Sequence, residues 1–521
     1  MEFRQLPIER LHQAQSEHEL FKLLLDAFSI NGRIMSLGRM AQRAAALYGT
    51  RTALICRDRT TDFQQIYHQS LRVGSLLKKH GVVAGDRVLL WWENSIEFYI
   101  GYFAIVQLGA VVAPLNVFLQ ESEMRHIVHD CQPKVMLISN DLKAKIQVPL
   151  DQLPPIISAA EIEAYQEPFE PYEPVDRDPD ELAALLYTSG TTGFPKGVMI
   201  SSRNAITNVA QGVARIGLGL EEHERLFGIL PLFHSFAQFA CIWGPFLMGA
   251  CVIVVPRIER RYLLEGVKQQ PTIFLGVPAL YGLLALLRRV PLESVKYFVS
   301  GGDALPDKIR SAFELLYRRK ICSGYGLTET SPLVAAYLDD EAARTNTVGR
   351  LVEGIKARIV GDNDQEVAHG QIGELLVSGD NVMLGYYNAP EATAQVLSNG
   401  WFRTGDLVYI DDEDRLVITG RAKDLIANKG FKIYPQEIEN VLMGHSLVIR
   451  VAVIGMPDPA GQVPVAHVQV REMTPGIATE LKELCIKSLA PYKIPRSFIC
   501  SVDPLPTTAT GKVDKKALIK Q

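Results

Sequence analysis

Two stretches of the chain alternate short apolar runs, bounded by glycine or proline, with longer runs of helical periodicity. In the first, GDRVLLWWEN reads as a strand, SIEFYIGYFAIVQLGA as an apolar helix, and VVAPLN and KVMLIS as further strands. In the second, RLFGILPLFH, CVIVVP, PTIFLGVP, VKYFVSGG and ICSGYG read as strands, separated by the helical patterns YLLEGVKQQ, ALYGLLALLRR and DKIRSAFELLYRRK. Apolar strands alternating with helices predict βαβ units and a mostly parallel sheet, and there are enough strands for two sheets.

From about Val348 the texture changes. VGRLVEGIKARIVG, GELLVSG, WFRTGDLVYI and DRLVITG are short alternating strands with Gly and Asp turns, as in a small antiparallel unit or distorted barrel. After Gly420 the pattern becomes compact α+β, with PQEIENVLMG and ELKELCIKSLA as helices and IRVAVIGMP and PVAHVQV as strands. The expected class is therefore α/β. A large N-terminal domain, residues 1–420, holds two mostly parallel sheets with flanking helices and a β-barrel-like unit at about 345–420. A small α+β domain, 421–521, follows the charged stretch RAKD, which suits a linker.

Composition changes this picture little. At 521 residues, 47% hydrophobic and 21% charged, the chain can bury a sizeable core. A net charge of -4 gives no reason to expect nucleic acid as a partner. Seven scattered cysteines without a C-x-x-C pair fit reduced thiols. The uncharged stretch FACIWGPFLMGACVIVV falls short of a membrane span and is broken at Gly244-Pro245 and Gly249-Ala250, so a buried helix, a turn and a strand are expected. MEFRQLPIERLHQAQ lacks the apolar core of a signal peptide and Ile519-Lys520-Gln521 is not a peroxisomal address. The expectation is a cytoplasmic protein with no transmembrane segment.

The first chemistry-bearing motif is YTSGTTGFPKG, directly after the apolar run ELAALL. A glycine-rich loop after a strand exposes backbone N–H groups that cradle anions. Ser189, Thr191 and Thr192 add hydroxyls and Lys196 a point charge, between Gly190 and Gly193. A Walker A loop is excluded: counted from Gly190, Pro195 stands at the second glycine position, and Gly197 follows Lys196 where Ser or Thr is required. Taken alone, the segment also fits a surface turn rich in small polar residues.

YTSGTTGFPKGV resembles the signature loop of the adenylate-forming superfamily: acyl-CoA synthetases, peptide-synthetase adenylation domains and luciferases. Further motifs follow in that family's order. PLFH (Pro231 to His234) resembles its fourth motif, SGGDALP and GYGLTET its acyl- and adenine-binding segments, and WFRTGDL its ribose segment. GRAKDLIANKG resembles its hinge and LPTTATGKVDK its C-terminal catalytic loop. The resemblance runs from about Leu37 to the end. It implies ATP-dependent activation of a carboxylic acid to acyl-AMP with loss of pyrophosphate, then transfer to CoA. Such catalysis is mainly positioning and electrostatics.

By that resemblance, Thr188 to Lys196 hold the β and γ phosphates, and Gly302, Tyr325, Gly326, Thr328, Asp406 and Arg421 complete the nucleotide site. Glu329 is the expected Mg²⁺ ligand, since this hard cation takes few carboxylates besides phosphates; in isolation the same glutamate fits a helix cap. Tyr325 offers adenine a face, and Asp406 can accept from both hydroxyls of a ribose diol. Lys512 is the expected catalytic lysine, because an ammonium about 4 Å from a phosphate oxygen contributes roughly 4 kcal/mol at an effective dielectric near 20. Without the TATGKVDK frame, Lys512, Lys515, Lys516 and Lys520 read as a solvated tail.

His234, Thr188 and Glu329 join Lys512 in the expected catalytic set. His234 also fits a buried structural histidine. Phe236, Phe239, Val277, Gly301 and Gly324, with His234, form the expected acyl pocket. HSFAQFACIW lacks the Asp that pairs a substrate ammonium in amino-acid-activating relatives, which points to a hydrophobic acid, medium- or long-chain fatty or aryl. The resemblance makes the C-terminal domain a mobile cap hinged at Lys423, with Gly430 beside the tunnel for the thiol arm, where a Cβ would crowd it. A carrier-protein phosphopantetheine is the alternative acceptor. Gln462 and ISSRN depart from the commoner pattern without touching the adenylation residues. His126 and His129 in MRHIVHD lack a third ligand nearby and read as structural rather than metal-binding.

Overall fold

VMLI and CVIV are buried at every position, as strands covered on both faces must be. The computed structural model describes residues 3–519 except 147, 189–194, 218–222, 288–289, 338–346, 429–430, 459–460 and 508–512. It arranges these strands in two large sheets. One has seven strands, in the order Gly385–Tyr386, Lys196–Ser201, Leu182–Thr188, Val111–Pro114, Arg87–Trp91, Val135–Ile138 and Ile156–Ser158. The last five are parallel; the first two join antiparallel at the edge.

The other sheet has nine strands. Six of them run parallel side by side, from Thr52–Cys56 through Cys251–Val254, Arg225–Gly228, Ile273–Gly276 and Tyr297–Ser300 to Ile321–Gly326. Between the sheets lies the helix Ile96–Gln107. Of its twelve residues only Glu97 escapes burial, which matches a sequence that is apolar all round. The stretch from Phe239 to Val255 resolves as expected into helical turns ending at Met248 and the strand Cys251–Val254. No described helix is long and apolar enough to cross a membrane. All seven cysteines are free.

The unit beyond Val348 is a five-stranded antiparallel sheet built on the long strand Trp401–Ile410. No ladder closes it into a barrel among the described residues. The C-terminal region has its own five-stranded sheet, centred on Gly461–Val470, which pairs with Val448–Asp458, Ile426–Asn428 and Ser497–Ser501. The helices Pro435–Met443 and Ile477–Ser488 pack on it over Ile426, Ile438, Leu442, Val453, Val468 and Leu481.

One lysine bonds this region to the rest at three points. Lys308, near the start of the helix Asp307–Tyr317, donates to the carbonyl oxygens of His445, Ser446 and Val448 at 2.9, 3.3 and 2.9 Å. These carbonyls lie just past the end of Pro435–Met443, where the helix leaves acceptors without intrahelical donors and its dipole favours a cation. Lys432 adds an exposed ion pair to Asp362 at 2.7 Å. Lys308→Met keeps the length and removes the charge. With a loss of about 1–2 kcal/mol for the partly solvated contact, tryptic cleavage at Arg421 or Lys423 should speed up about five- to thirty-fold, and an unchanged rate would show that the contact does not hold the two parts together.

Candidate active site

Leu182–Thr188 and Lys196–Ser201 form a hairpin in which Lys196 faces Thr188 and Gly197 faces Tyr187. Ser189, Gly190, Thr191, Thr192 and Gly193 lie outside the described residues, as do Gly430 and Lys512. The hairpin nevertheless fixes where their neighbours stand. A Cβ on Gly197 would meet Leu185 at 2.9 Å and the Tyr187 ring at 3.2 Å, so glycine is required for that ring to cross it. Lys196 Nζ stands 5.1 Å from the centroid of the Tyr386 ring, within cation–π range. The Tyr386 hydroxyl donates to Glu329 Oε1 at 2.8 Å. Burial, and next the Glu329 charge, raise the pKa of this phenol, which keeps it a donor.

Tyr386 thus ties the cation of the signature loop to the expected Mg²⁺ ligand, and the sequence reading missed it. Its only trace is the dipeptide Tyr386-Tyr387 after a glycine, beside an edge strand of two residues.

Glu329 sits on the turn Thr328–Thr330, directly after the strand Ile321–Gly326 and Leu327. The chain doubles back so tightly here that a Cβ on Gly326 would lie 1.8 Å from the Pro332 carbonyl oxygen. Gly326 was expected as a nucleotide contact; this close approach gives it a structural reason as well. Thr328 Oγ1 is 3.1 Å from Ser235 Oγ, which joins GYGLTET to the residue following His234. His234 caps the short helix Ser235–Ala237, its Nδ1 accepting from the Phe236 N–H at 3.3 Å. An accepting Nδ1 leaves the ring hydrogen of the neutral imidazole on Nε2. A π-helical turn, Gln238–Trp243, follows, a distortion common beside functional sites.

The expected ribose carboxylate is held from two sides. Asp406 is 2% exposed; Tyr325 donates to its Oδ2 at 2.6 Å and Arg421 Nε lies 2.9 Å from its Oδ1. Arg421 reaches it because the two residues face each other across the strands Trp401–Ile410 and Leu416–Arg421. Each carboxylate oxygen can accept further bonds, so these partners leave capacity for a diol. Tyr325, expected as a face for adenine, is 8% exposed and also serves as this carboxylate's donor. Gly302, with φ +82°, follows the strand Tyr297–Ser300 and would place a Cβ 3.8 Å from Val277.

Val277, Gly301 and Gly302 lie immediately past the C-terminal ends of their parallel strands and Gly324 within the last turn of its own, where α/β sheets bind ligands. Protein side chains fill the room beside these glycines. A Cβ on Gly301 would meet the Phe236 ring at 3.1 Å, and one on Gly324 would meet Leu333 at 3.4 Å. Phe239 lies against Gly212 of the helix Ser202–Ile216, at 2.5 Å from a built Cβ. That helix carries a row the sequence reading also missed. Asn204 donates to Asp380 and Val382 carbonyls, Asn208 exchanges bonds with both backbone groups of Leu333, and Gln211 donates to Glu353. These buried amides hold in place the loops that carry Glu329 and the pocket wall. The spacing 204, 208, 211 on one helical face was the available signal. Lys423 stands exposed on the turn Ala422–Asp424.

Residues 41–387 match the AMP-binding enzyme family, and 437–512 match the AMP-binding enzyme C-terminal domain. The chain belongs to the AMP-binding enzyme family. It is 30% identical over 522 residues, 92% of this chain and 93% of the relative, to a long-chain-fatty-acid–CoA ligase of Bacillus subtilis (strain 168). Among solved structures it resembles the anthranilate CoA ligase AuaEII in complex with anthranoyl-AMP (TM-score 0.86, 27% identity, 93% of this chain and 96% of that one). It also resembles the O-succinylbenzoate coenzyme A synthetase MenE of Bacillus subtilis in complex with ATP and magnesium ion (TM-score 0.84, 28% identity, 93% and 99%). The protein is an AMP-forming acyl-CoA synthetase with ATP and CoA as substrates. The acids named for these AMP-binding relatives range from long-chain fatty to aromatic, so kinship fixes the reaction and not the acid.

In this synthetase, Tyr386→Phe should keep the ring beside Lys196 and lose the bond to Glu329. The expected cost is about 1–2 kcal/mol, a five- to thirty-fold fall in kcat/KM for ATP in pyrophosphate exchange. Tyr386→Ala should fall further, and equal losses in both variants would remove the hydroxyl from the account.

Proposed function

We propose that the acid is hydrophobic and carries no ammonium group, a medium- or long-chain fatty acid by preference. The observation that carries this is the wall formed by Phe236, Phe239, Val277, Gly301, Gly324 and Leu333. None of these residues is charged, so a zwitterion would bury its cation unpaired, which costs several kcal/mol. The kinship with a long-chain-fatty-acid–CoA ligase supports the preference. An aryl acid is the second reading, favoured by the Phe236 ring beside Gly301 and by the likeness to the anthranilate ligase.

The proposed course uses the residues as follows. The acid's carboxylate oxygen attacks the α-phosphorus of ATP and the bond to the β-phosphate bridging oxygen breaks, releasing pyrophosphate. Lys196 and the loop from Thr188 neutralise the departing diphosphate; Asp406 and Arg421 fix the ribose end; Lys512 draws carboxylate and α-phosphate together. Glu329, a single carboxylate with one oxygen held by Tyr386, fits a Mg²⁺ site completed by phosphate oxygens. When bound, Mg²⁺ supplies further neutralisation of phosphate charge. CoA sulfur then attacks the acyl carbonyl and AMP leaves, with His234 at the pocket mouth and the cap, pivoting at Lys423, presenting Gly430 to the thiol arm. Each of the three relatives above is named for CoA and none for a carrier protein, which supports CoA as acceptor.

Lys512→Ala should slow acyl-AMP formation on the order of a thousandfold, as about 4 kcal/mol requires, while ATP affinity and thioester formation from supplied acyl-AMP persist; unchanged turnover would remove Lys512 from the first step. ATP–pyrophosphate exchange over a panel of straight-chain and aryl acids, followed by CoA transfer, identifies the acid. Exchange should rise with chain length, and exchange confined to aryl acids would overturn the fatty-acid reading.

A further inference from the structure

The helix Glu121–Cys131 carries the histidines that metal chemistry did not absorb. One of them reaches the signature loop. His126 Nε2 lies 3.0 Å from the carbonyl oxygen of Pro195, the residue before Lys196. A carbonyl only accepts, so Nε2 bears the hydrogen. Four residues on, and therefore on the same face of the helix, Asp130 Oδ2 accepts from the hydroxyl of Tyr187 at 2.6 Å. Tyr187 precedes Thr188 on the incoming stem, and Pro195 precedes Lys196 on the outgoing one. One helical face therefore holds both stems of the hairpin, on either side of residues 189–194.

The helix is itself firmly placed. Met124, Ile127 and Cys131 are buried in one core with Leu185 of the incoming strand and with Leu89, Ala113 and Met136 of the parallel sheet. The Asp130 carbonyl accepts from Asn388 Nδ2 at 2.8 Å, and the next residue back, Tyr387, donates its N–H to Gly197 at 2.8 Å. The absent side chain of Gly197 makes way for the Tyr187 ring on its path to Asp130.

We propose that His126 and Asp130 are positioning residues for adenylation: through Pro195 and Tyr187 they set the separation and pitch of the two stems, and so the grip of the loop on the β and γ phosphates of ATP. This rests on the reading of that loop as the polyphosphate site. It predicts an effect confined to nucleotides that carry those phosphates, whereas a helix that merely supports the fold would alter all ligands alike or none.

The test is calorimetric binding of ATP and of AMP to the full chain and to His126→Ala, His126→Gln, Tyr187→Phe and Lys196→Ala, with thermal unfolding recorded for each. His126→Ala should weaken ATP about three- to ten-fold, one neutral hydrogen bond's worth, and Tyr187→Phe, which loses a bond to a carboxylate, about ten-fold or more; both should leave AMP unchanged. His126→Gln, whose amide nitrogen can stand at the Nε2 position, should restore most of the loss. Lys196→Ala tests the loop separately. If it weakens ATP selectively while the helix variants do not, the brace is refuted and the loop reading stands. If Lys196→Ala shows no selectivity for ATP over AMP, the loop reading fails and takes the proposal with it. Equal losses for ATP and AMP in the helix variants would reduce His126 and Asp130 to supports of the fold.

Discussion

An ionised carboxylate withdrawn from water has to be paired, and in this chain the demand falls on Asp406. Two of its partners come from distant parts of the sequence. Tyr325 ends a parallel strand of the larger sheet, and Arg421 ends the last strand before the C-terminal region. Satisfying one buried charge therefore brings together the larger sheet, the antiparallel unit and the start of the cap. The motifs GYG, RTGD and GRAKD are held in mutual register by this contact, and the proposed nucleotide site lies where they meet. Losing one partner would leave the carboxylate half-paired in a dry setting, which is far costlier than never having placed it there.

Much of the architecture was legible because burial on both faces writes an unambiguous pattern. Runs such as VMLI and CVIV have no polar face to lose, and IEFYIGYFAIVQ, apolar but for Glu97 and Gln107, has too little polar surface to lie on the outside. The antiparallel unit was legible as strands but not as topology. Alternation reports which face is buried and is silent on whether edge strands meet, and here they do not close among the described residues. The site's hydroxyls and amides were illegible for a related reason. Tyr386, Asn204, Asn208 and Gln211 act through hydrogen bonds to backbone or to one carboxylate. Residue type alone does not disclose such a partner; only the fold does. His126 shows the limit clearly: as part of a possible metal pair it led nowhere, and its carbonyl partner lies sixty-nine positions away.

The pocket teaches a second lesson about glycine. SGG and GYG invite the expectation of open space, yet Phe236 occupies the room at Gly301 and Leu333 that at Gly324. Small residues and large ones are complementary halves of one wall, so the bore of the proposed acyl pocket depends on the rotamers of Phe236 and Phe239 more than on the glycines.

The grip of Lys308 on three carbonyl oxygens differs in kind from the ion pair of Lys432 with Asp362. Every residue supplies a carbonyl, so the acceptor half of this joint is blind to which side chains stand at 445, 446 and 448. Substitution there leaves the receptacle intact so long as the main-chain path survives, whereas position 308 carries the whole genetic specification of the joint alone. Between diverging copies of such a chain, one side of the seam is free to drift in sequence while the other is not.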